Sequence, residues 1–206
     1  MPVSRETLIP AYFGAHPEKV DRYAEILATW GIERGLVGPK EGDRIWERHI
    51  ANCIPLTTLI PQGLSVLDIG SGAGLPGIVI ALARPDLRVT LLEPLQRRVD
   101  FLIEVVAELG LDITVARGRA EGFKGSFGVV TARAVAPLPK LLPLSWHLLA
   151  PGGLFLAMKG EGAAAELAEA QESARKVFNK VAKTQIHEIV LGELPLARVV
   201  ELKKAG

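Results

Sequence analysis

The spacing of hydrophobic residues changes near residue 64 of this chain. Before that point apolar residues recur every three or four positions, which indicates amphipathic helices. Two helices are predicted, with inward-facing positions at Val20, Tyr23, Ala24, Leu27 and Trp30, and then at Ile45, Trp46, His49, Ile50 and Cys53. Asp43 stands where the second helix needs an N-cap. Residues 1–62 are therefore predicted to form an N-terminal helical extension.

From residue 64 onward, short apolar runs alternate with helical patterns. Strands are predicted near 64–69, 88–93, 112–116, 126–132 and 153–158, and helices near 76–84, 96–109, 137–149 and 163–176. This alternation predicts an α/β fold with a doubly wound, mostly parallel sheet over residues 63–206. We expect it to form one structural unit with the extension.

The end of the chain departs from the alternation. Residues 177–191 and 197–202 read as two strands, and the connection through Gly192 and Pro195 is too short for a crossover helix. An antiparallel hairpin is therefore predicted. A seven-stranded Rossmann-like sheet that finishes in such a hairpin is typical of methyltransferases, whereas dinucleotide-binding folds normally lack it.

Composition limits the possible classes of protein. The 206 residues are 49% hydrophobic, enough for one α/β domain with a modest extension. A net charge of +1 is not typical of a nucleic-acid-binding protein, so any basic surface must be local. Cys53 is the single cysteine, and no basic segment followed by an apolar core opens the chain. We expect a monomeric cytoplasmic protein that does not enter a membrane.

A glycine-rich turn over residues 66–77 carries the main functional signal. Gly72, Gly74 and Gly77 match the dinucleotide fingerprint G-x-G-x-x-G. Glu93 follows about twenty residues later, where a carboxylate holds ribose hydroxyls. This spacing alone does not separate a nicotinamide dinucleotide from another nucleoside cofactor, and a glycine-rich connection without a ligand is a third interpretation.

Asp68 favours S-adenosylmethionine over a dinucleotide. It lies two residues before Gly70, close to where a dinucleotide places its doubly negative pyrophosphate, and an unpaired carboxylate there repels that group. S-adenosylmethionine has no phosphate, and it carries an ammonium and a sulfonium against one carboxylate. An acid at this point therefore attracts it.

Further polar residues follow the other strands, and the carboxyl ends of parallel strands share one edge of a sheet. They are Arg117, Arg119, Ala120 and Glu121 after the third strand, Arg133 after the fourth and Lys159 after the fifth. The four cations predict a basic rim and a phosphate-bearing substrate. The four histidines show no metal-ligand spacing with Cys53 or nearby acids, so no metal site is predicted.

Taken together, these motifs resemble the RsmG family, also called glucose-inhibited division protein B. The similarity runs from about residue 23 to residue 202. It is carried by the segments Trp46-Glu-Arg-His49, Asp68-Ile-Gly-Ser-Gly-Ala-Gly-Leu-Pro-Gly-Ile78, Arg97-Arg-Val-x-Phe-Leu102, Gly118-Arg-Ala-Glu121, Thr131-Ala-Arg-Ala134 and Pro151 to Gly160.

The resemblance implies a methyltransferase that acts on guanine N7 in 16S ribosomal RNA, in a hairpin loop of the decoding region, with S-adenosylmethionine as cofactor. It implies cofactor contacts at Gly70, Leu75, Ala120, Glu121 and Arg133. The glycine turn and the strand ends add Asp68, Gly72 and Glu93 as predicted cofactor-binding residues. Arg133 is expected to lie nearest both cofactor and substrate.

The expected partner is small-subunit ribosomal RNA or the 30S subunit. Arg48, His49, Arg119 and Lys159 are candidate RNA contacts. The alternatives are a nucleotide-binding oxidoreductase or sensor that uses NAD, and a non-catalytic RNA-binding module that holds the cofactor as a structural ligand.

Overall fold

A seven-stranded sheet forms the centre of the molecule. The computed structural model describes residues 5–14, 16–192 and 194–206. The strands are Ser65–Ile69 (β1), Arg88–Glu93 (β2), Thr114–Arg117 (β3), Phe127–Arg133 (β4), Leu149–Lys159 (β5), Val181–Ile189 (β6) and Ala197–Lys204 (β7). Their order is β3-β2-β1-β4-β5-β7-β6, and β7 runs in the direction opposite to the other six strands, so that it pairs antiparallel with both β5 and β6. The predicted parallel sheet with a C-terminal hairpin is confirmed.

Helices cover both faces of the sheet. They are Arg5–Phe13 (α1), Pro17–Ile26 (α2), Gly77–Ala83 (α3), Gln96–Glu108 (α4), Leu138–Ser145 (α5), Ala163–Ser173 (α6) and Arg175–Phe178 (α7). A π-helical turn, Leu27–Gly31, continues α2. No helix in the described part of the chain is long and apolar enough to cross a membrane.

Two hydrophobic clusters lie on opposite faces of the sheet, because successive side chains of a strand point to opposite sides. Val66 packs in the cluster that contains α3, α4 and the helical residues before position 63. Leu67 packs in the other cluster, with α5 and α6. The helical extension thus shares a core with the sheet. Residues 1–4 and 15 of the predicted extension lie outside the described residues.

The second predicted helix of the extension is irregular. Residues 42–59 form a 3-10 turn (Gly42–Arg44), a π-helical segment (Ile45–Ile50) and a 3-10 helix (Ala51–Leu59). The predicted N-cap at Asp43 is wrong, because Asp43 lies inside the first turn and makes no capping bond. Pro55 lacks the amide hydrogen that a continuous α-helical ladder needs.

The fifth strand begins earlier than predicted. The helix expected near 137–149 ends at Ser145, and β5 begins at Leu149 rather than near residue 153. Leu149 pairs with Phe127, and pairing resumes at Leu154 with Val129 after a register shift. The Pro-Gly-Gly sequence, which reads as a strand breaker, is therefore accommodated as a bulge inside the strand.

Candidate active site

The glycine turn forms a tight loop between β1 and α3. The Gly70 amide donates a hydrogen bond to the Leu92 carbonyl (2.7 Å), which ties the loop to the end of β2. Gly74 has a φ of +98°, and a Cβ there would lie 2.3 Å from Ile78 Cδ1. Only glycine fits a position with this backbone and so close a neighbour.

Asp68 lies beneath this loop and is completely buried. Its Oδ2 accepts a hydrogen bond from the Gly77 amide (3.0 Å), whereas Oδ1 has no hydrogen-bond partner among the described residues. Burial raises the pKa of the Asp68 carboxyl to about 7, although the Gly77 amide bond acts in the opposite direction. Asp68 therefore holds the start of α3, and its attraction for a cationic cofactor stays a prediction.

The raised pKa predicts a stability that falls with pH. The folded state keeps the Asp68 proton up to about pH 7, whereas an unfolded aspartate loses it near pH 4. The stabilisation is fully present below pH 4 and is lost as the pH rises through 7. We expect the free energy of unfolding in urea to drop by about 1 kcal/mol between pH 6 and 8 from this group.

Two variants isolate this contribution. Asp68→Asn should remove it, because the amide does not titrate. Asp86→Asn is the matched control, since Asp86 is exposed and Arg84 holds the pKa of its carboxyl at about 2, outside this range. A wild-type pH dependence in Asp68→Asn would contradict the assignment.

Glu93 also bonds to the backbone of the loop. Its Oε2 accepts from the Gly72 amide and its Oε1 from the Leu95 amide, both at 3.0 Å. The residue is 1% exposed. These two backbone bonds of Glu93 could not be predicted from the spacing of residues in the sequence. That spacing predicts a contact between Glu93 and ribose hydroxyls, a role that stays a prediction.

Arg133 points from the end of β4 toward the helical extension. Its Nη1 donates to the His49 carbonyl and to Cys53 Sγ, both at 3.2 Å, and its Nη2 lies 2.7 Å from His49 Nδ1. The guanidinium thus joins two parts of the chain that are 80 or more residues apart. His49 binds this arginine, and its predicted contact with RNA stays a prediction.

Lys159 is paired rather than free. Its Nζ lies 2.8 Å from Glu166 Oε2 and donates to the Ala136 carbonyl (2.9 Å). Glu166 in turn accepts from the Leu138 amide (3.0 Å). The pairing neutralises the charge that the sequence assigned to a substrate phosphate, and it fixes the segment that follows β4.

The segment after β4, residues 134–137, lies against the glycine loop. Ala134 has a φ of +55°, a conformation that is uncommon for residues other than glycine. The next residue, Val135, is 41% exposed, and its Cγ2 is 2.8 Å from where a Cβ on Gly70 would stand. The segment therefore connects the loop with the surface beyond β4.

A groove of about 850 Å³ opens beside this segment, at the carboxyl ends of β4 and β5. Its apolar lining includes Val135, Met158 and Leu196. Its charged lining consists of the cations Arg44, Arg48, Arg133, Lys159 and Arg198 and the acids Glu47, Glu161 and Glu166. The groove therefore combines an apolar floor with an excess of positive charge.

Two of these cations were not found from the sequence. Arg198 lies opposite Lys159 in the antiparallel register of β5 and β7, a pairing that the predicted hairpin of residues 177–191 and 197–202 did not include. Arg44 lies in an irregular turn, where no pattern placed it. Arg48 was predicted, and it donates a hydrogen bond to Glu41 (2.7 Å).

The predicted basic rim is split into two parts. Arg117 and Arg119 are exposed at the end of β3, at the edge of the sheet. Three strand spacings, about 14 Å, separate β3 from β4. Neither arginine lines the groove. The four predicted cations therefore do not share one groove, and their contacts with RNA stay a prediction.

The remaining predicted cofactor residues surround the loop. Leu75 is buried within it, and Ala120 is buried at the start of a 3-10 turn, Ala120–Gly122, after β3. Glu121 in this turn is exposed. Among the described residues, no three His, Cys, Asp or Glu side chains are grouped closely enough to hold a metal ion.

Comparison with known proteins identifies the family. A sequence profile of GidB, described as rRNA small subunit methyltransferase G, matches residues 16–195. The chain belongs to the GidB family. A ribosomal RNA small subunit methyltransferase G from Acidothermus cellulolyticus is 61% identical over 149 residues, which are 72% of this chain and 67% of that protein. The protein of the same name from Streptomyces coelicolor is 49% identical over 198 residues, 93% of this chain and 81% of that protein.

The fold itself is shared with a solved methyltransferase structure. A crystal structure of a methyltransferase from Pyrococcus furiosus has a TM-score of 0.60 at 18% identity, and the match covers 76% of this chain and 83% of that chain. The resemblance predicted from the sequence motifs is confirmed. The dinucleotide-binding alternative is not favoured.

Proposed function

We propose that this protein transfers a methyl group from S-adenosylmethionine to N7 of a guanine in small-subunit ribosomal RNA, in a loop of the decoding region. The observation that carries the proposal is the cationic groove beside the glycine loop, in a member of the GidB family. The substrate is free ribosomal RNA or the 30S subunit.

The glycine loop suits a nucleoside cofactor without phosphate. A Cβ on Gly72 would meet only the Gly70 carbonyl, at 3.8 Å, so a ligand can approach the backbone there. The buried Asp68 carboxyl with its unpartnered Oδ1 lies beneath the same loop. Where this carboxyl is ionised, above about pH 7, it attracts a cation and repels a pyrophosphate.

S-adenosylmethionine supplies an electrophilic methyl group on a sulfonium. We expect contacts from Gly70, Gly72, Leu75, Ala120 and Glu121, with Asp68 and Glu93 supporting the loop from below.

The groove fits a splayed-out base with phosphates on either side. Val135 and Met158 offer apolar contacts for the base, and single-stranded loops are the usual targets of sequence-specific RNA recognition. Arg44 lies where it reaches phosphate oxygens, whereas Arg198 in the same groove is paired with Glu188 (2.7 Å). Lys159 is paired with Glu166, and its predicted contact with RNA stays a prediction.

Guanine N7 requires no general base, because its lone pair lies in the plane of the ring and it carries no proton. The protein's contribution is then to align the acceptor with the methyl group, and such alignment accounts for a large share of many enzymatic rate accelerations. Arg133, fixed at the end of β4 by His49 and Cys53, is the residue we assign to this alignment.

The test is a single-turnover reaction with labelled S-adenosylmethionine and enzyme in excess over RNA. An N7-methylated guanine is cationic, so borohydride and aniline should cleave the labelled RNA at one guanine. The transfer rate should be nearly flat between about pH 6.5 and 9, since the reaction requires no catalytic base to ionise there. A product resistant to cleavage, or a rate that rises through neutral pH, would exclude N7. Absence of transfer to both free RNA and 30S subunits would favour a non-catalytic RNA-binding role.

The salt dependence of RNA binding should depend on Arg44. Among the described residues no carboxylate lies within salt-bridge distance of Arg44, so its charge is available to a phosphate. Arg44→Ala should flatten the slope of log affinity against log salt by about 0.7–0.9, the value for one phosphate contact.

The matched control is Arg88→Ala. Arg88 is exposed at the amino end of β2, whereas the groove lies at the carboxyl ends of the parallel strands. It should keep the wild-type slope. Equal slopes in wild type and Arg44→Ala would remove Arg44 from the RNA interface.

A further inference from the structure

The ring of His49 links an arginine to a glutamate. On one side, Arg133 Nη2 lies 2.7 Å from His49 Nδ1. On the other side, His49 Nε2 lies 3.1 Å from Glu41 Oε2. Guanidinium groups only donate hydrogen bonds and carboxylates only accept them. Nδ1 must therefore accept and Nε2 must carry the proton, so the two neighbours fix a single tautomer of a neutral ring.

Charged groups surround this ring on every packed side. Arg133 reaches it from β4, Arg48 belongs to its own segment, and Glu41 comes from the preceding turn. Cys53, from the following 3-10 helix, donates to the His49 carbonyl (3.0 Å) and accepts from the same guanidinium. Burial and the charge of Arg133 lower the pKa of His49, against the opposing effect of Glu41.

A second proton on this ring is incompatible with the arginine contact. Protonated Nδ1 would present an N–H to the N–H groups of Arg133 at 2.7 Å, which places two donors and two positive charges against each other. The contact would have to open. The bonds from Arg133 to the His49 carbonyl and to Cys53 involve the other guanidinium nitrogen and do not compensate for this repulsion.

We propose that neutral His49 is a positioning residue that holds the Arg133 guanidinium in place for methyl transfer, and that protonation of His49 releases the guanidinium and stops the reaction. The role in transfer rests on the function proposed above. Arg133 directly precedes Ala134, which has a positive φ, and Val135, which packs against Gly70. A displaced Arg133 therefore disturbs the wall shared by the groove and the glycine loop.

The kinetic test is the pH profile of single-turnover transfer with saturating cofactor and RNA. In the wild type the rate should fall about tenfold per pH unit below the pKa of His49. His49→Gln keeps one acceptor and one donor but does not titrate, so it should retain the rate at pH 7.5 within a few-fold and lose the acid limb. His49→Leu should be slow at every pH. His187→Gln is the control, because His187 pairs with Glu201 on the C-terminal hairpin and should keep the wild-type profile.

An acid limb that persists in His49→Gln would assign the titration to another group and overturn the proposal. A rate for His49→Leu equal to that of the wild type at pH 7.5 would overturn it as well.

A spectroscopic test is independent of activity. In ¹⁵N NMR spectra the His49 ring should show the Nε2-protonated tautomer, with a pKa below the ordinary value for histidine. Arg133→Met removes the neighbouring charge but keeps much of the side-chain length, so it should raise the His49 pKa. An unchanged pKa in Arg133→Met, or the Nδ1-protonated tautomer in the wild type, would contradict the contact itself. If these spectra agree while no RNA is methylated, the proposed function fails and the contact stands.

Discussion

Gly77→Ala should lower the free energy of unfolding by about 1–3 kcal/mol, since overpacking of a filled core has this cost. The added Cβ would lie 2.3 Å from Leu91 Cδ2 and 2.7 Å from Asp68 Oδ2. Both neighbours are completely buried and cannot move into solvent. The shift also disturbs the bond between the Gly77 amide and Asp68, on which the start of α3 depends. Urea unfolding and calorimetric titration with S-adenosylmethionine measure the two consequences, a less stable fold and weaker cofactor binding.

Gly162→Ala is the matched control for this substitution. Gly162 precedes α6, has a φ of −76°, and has no heavy atom within 4 Å of an added Cβ. Alanine there should leave stability within about 0.5 kcal/mol of the wild type. A Gly77→Ala variant as stable as Gly162→Ala would show that the loop has more room than its contacts indicate.

The Gly77 contacts explain why the glycine loop was visible in the sequence. In the sequence, Asp68 lies near the end of an apolar run that is followed by four closely spaced glycines. Few local structures need so many glycines, because a glycine is required only where a neighbouring atom lies too close for a side chain or where the backbone adopts a positive φ. The alternation of strands and helices was visible for a similar reason, since buried parallel strands are continuous apolar runs. Local patterns were sufficient for both predictions.

Partners of the charged side chains could not be predicted in the same way. Arg133 bonds to His49 and Cys53, at sequence separations of 84 and 80 residues. Their proximity depends on how an irregular helical segment packs across the end of β4, and periodicity does not encode that packing. The pairing of Lys159 with Glu166 depends likewise on the angle of α6. A charge that looks free in the sequence can therefore be neutralised in the fold.

The substitution with the largest expected effect on activity is Arg133→Lys. Arginine offers a planar group with several donors, whereas lysine is a compact point charge on a flexible stem. Lysine therefore keeps the positive charge but cannot bond at once to the His49 ring, the His49 carbonyl and Cys53. Since a misplacement of about 1 Å in an active site can lower a rate 100-fold, we expect a single-turnover rate reduced by about that factor.

The affinity of Arg133→Lys for RNA distinguishes a positioning role of Arg133 from a requirement for positive charge alone. If Arg133 acts by alignment, Arg133→Lys should bind RNA with nearly the wild-type affinity and salt slope while transferring the methyl group slowly. Arg117→Lys is the control, because Arg117 is exposed at the end of β3, outside the groove, and should keep the wild-type rate. A wild-type rate in Arg133→Lys would reduce the requirement to a positive charge. A loss of RNA affinity with an unchanged rate at saturating RNA would instead make Arg133 a binding residue, because the interaction is then made equally in the ground state and the transition state.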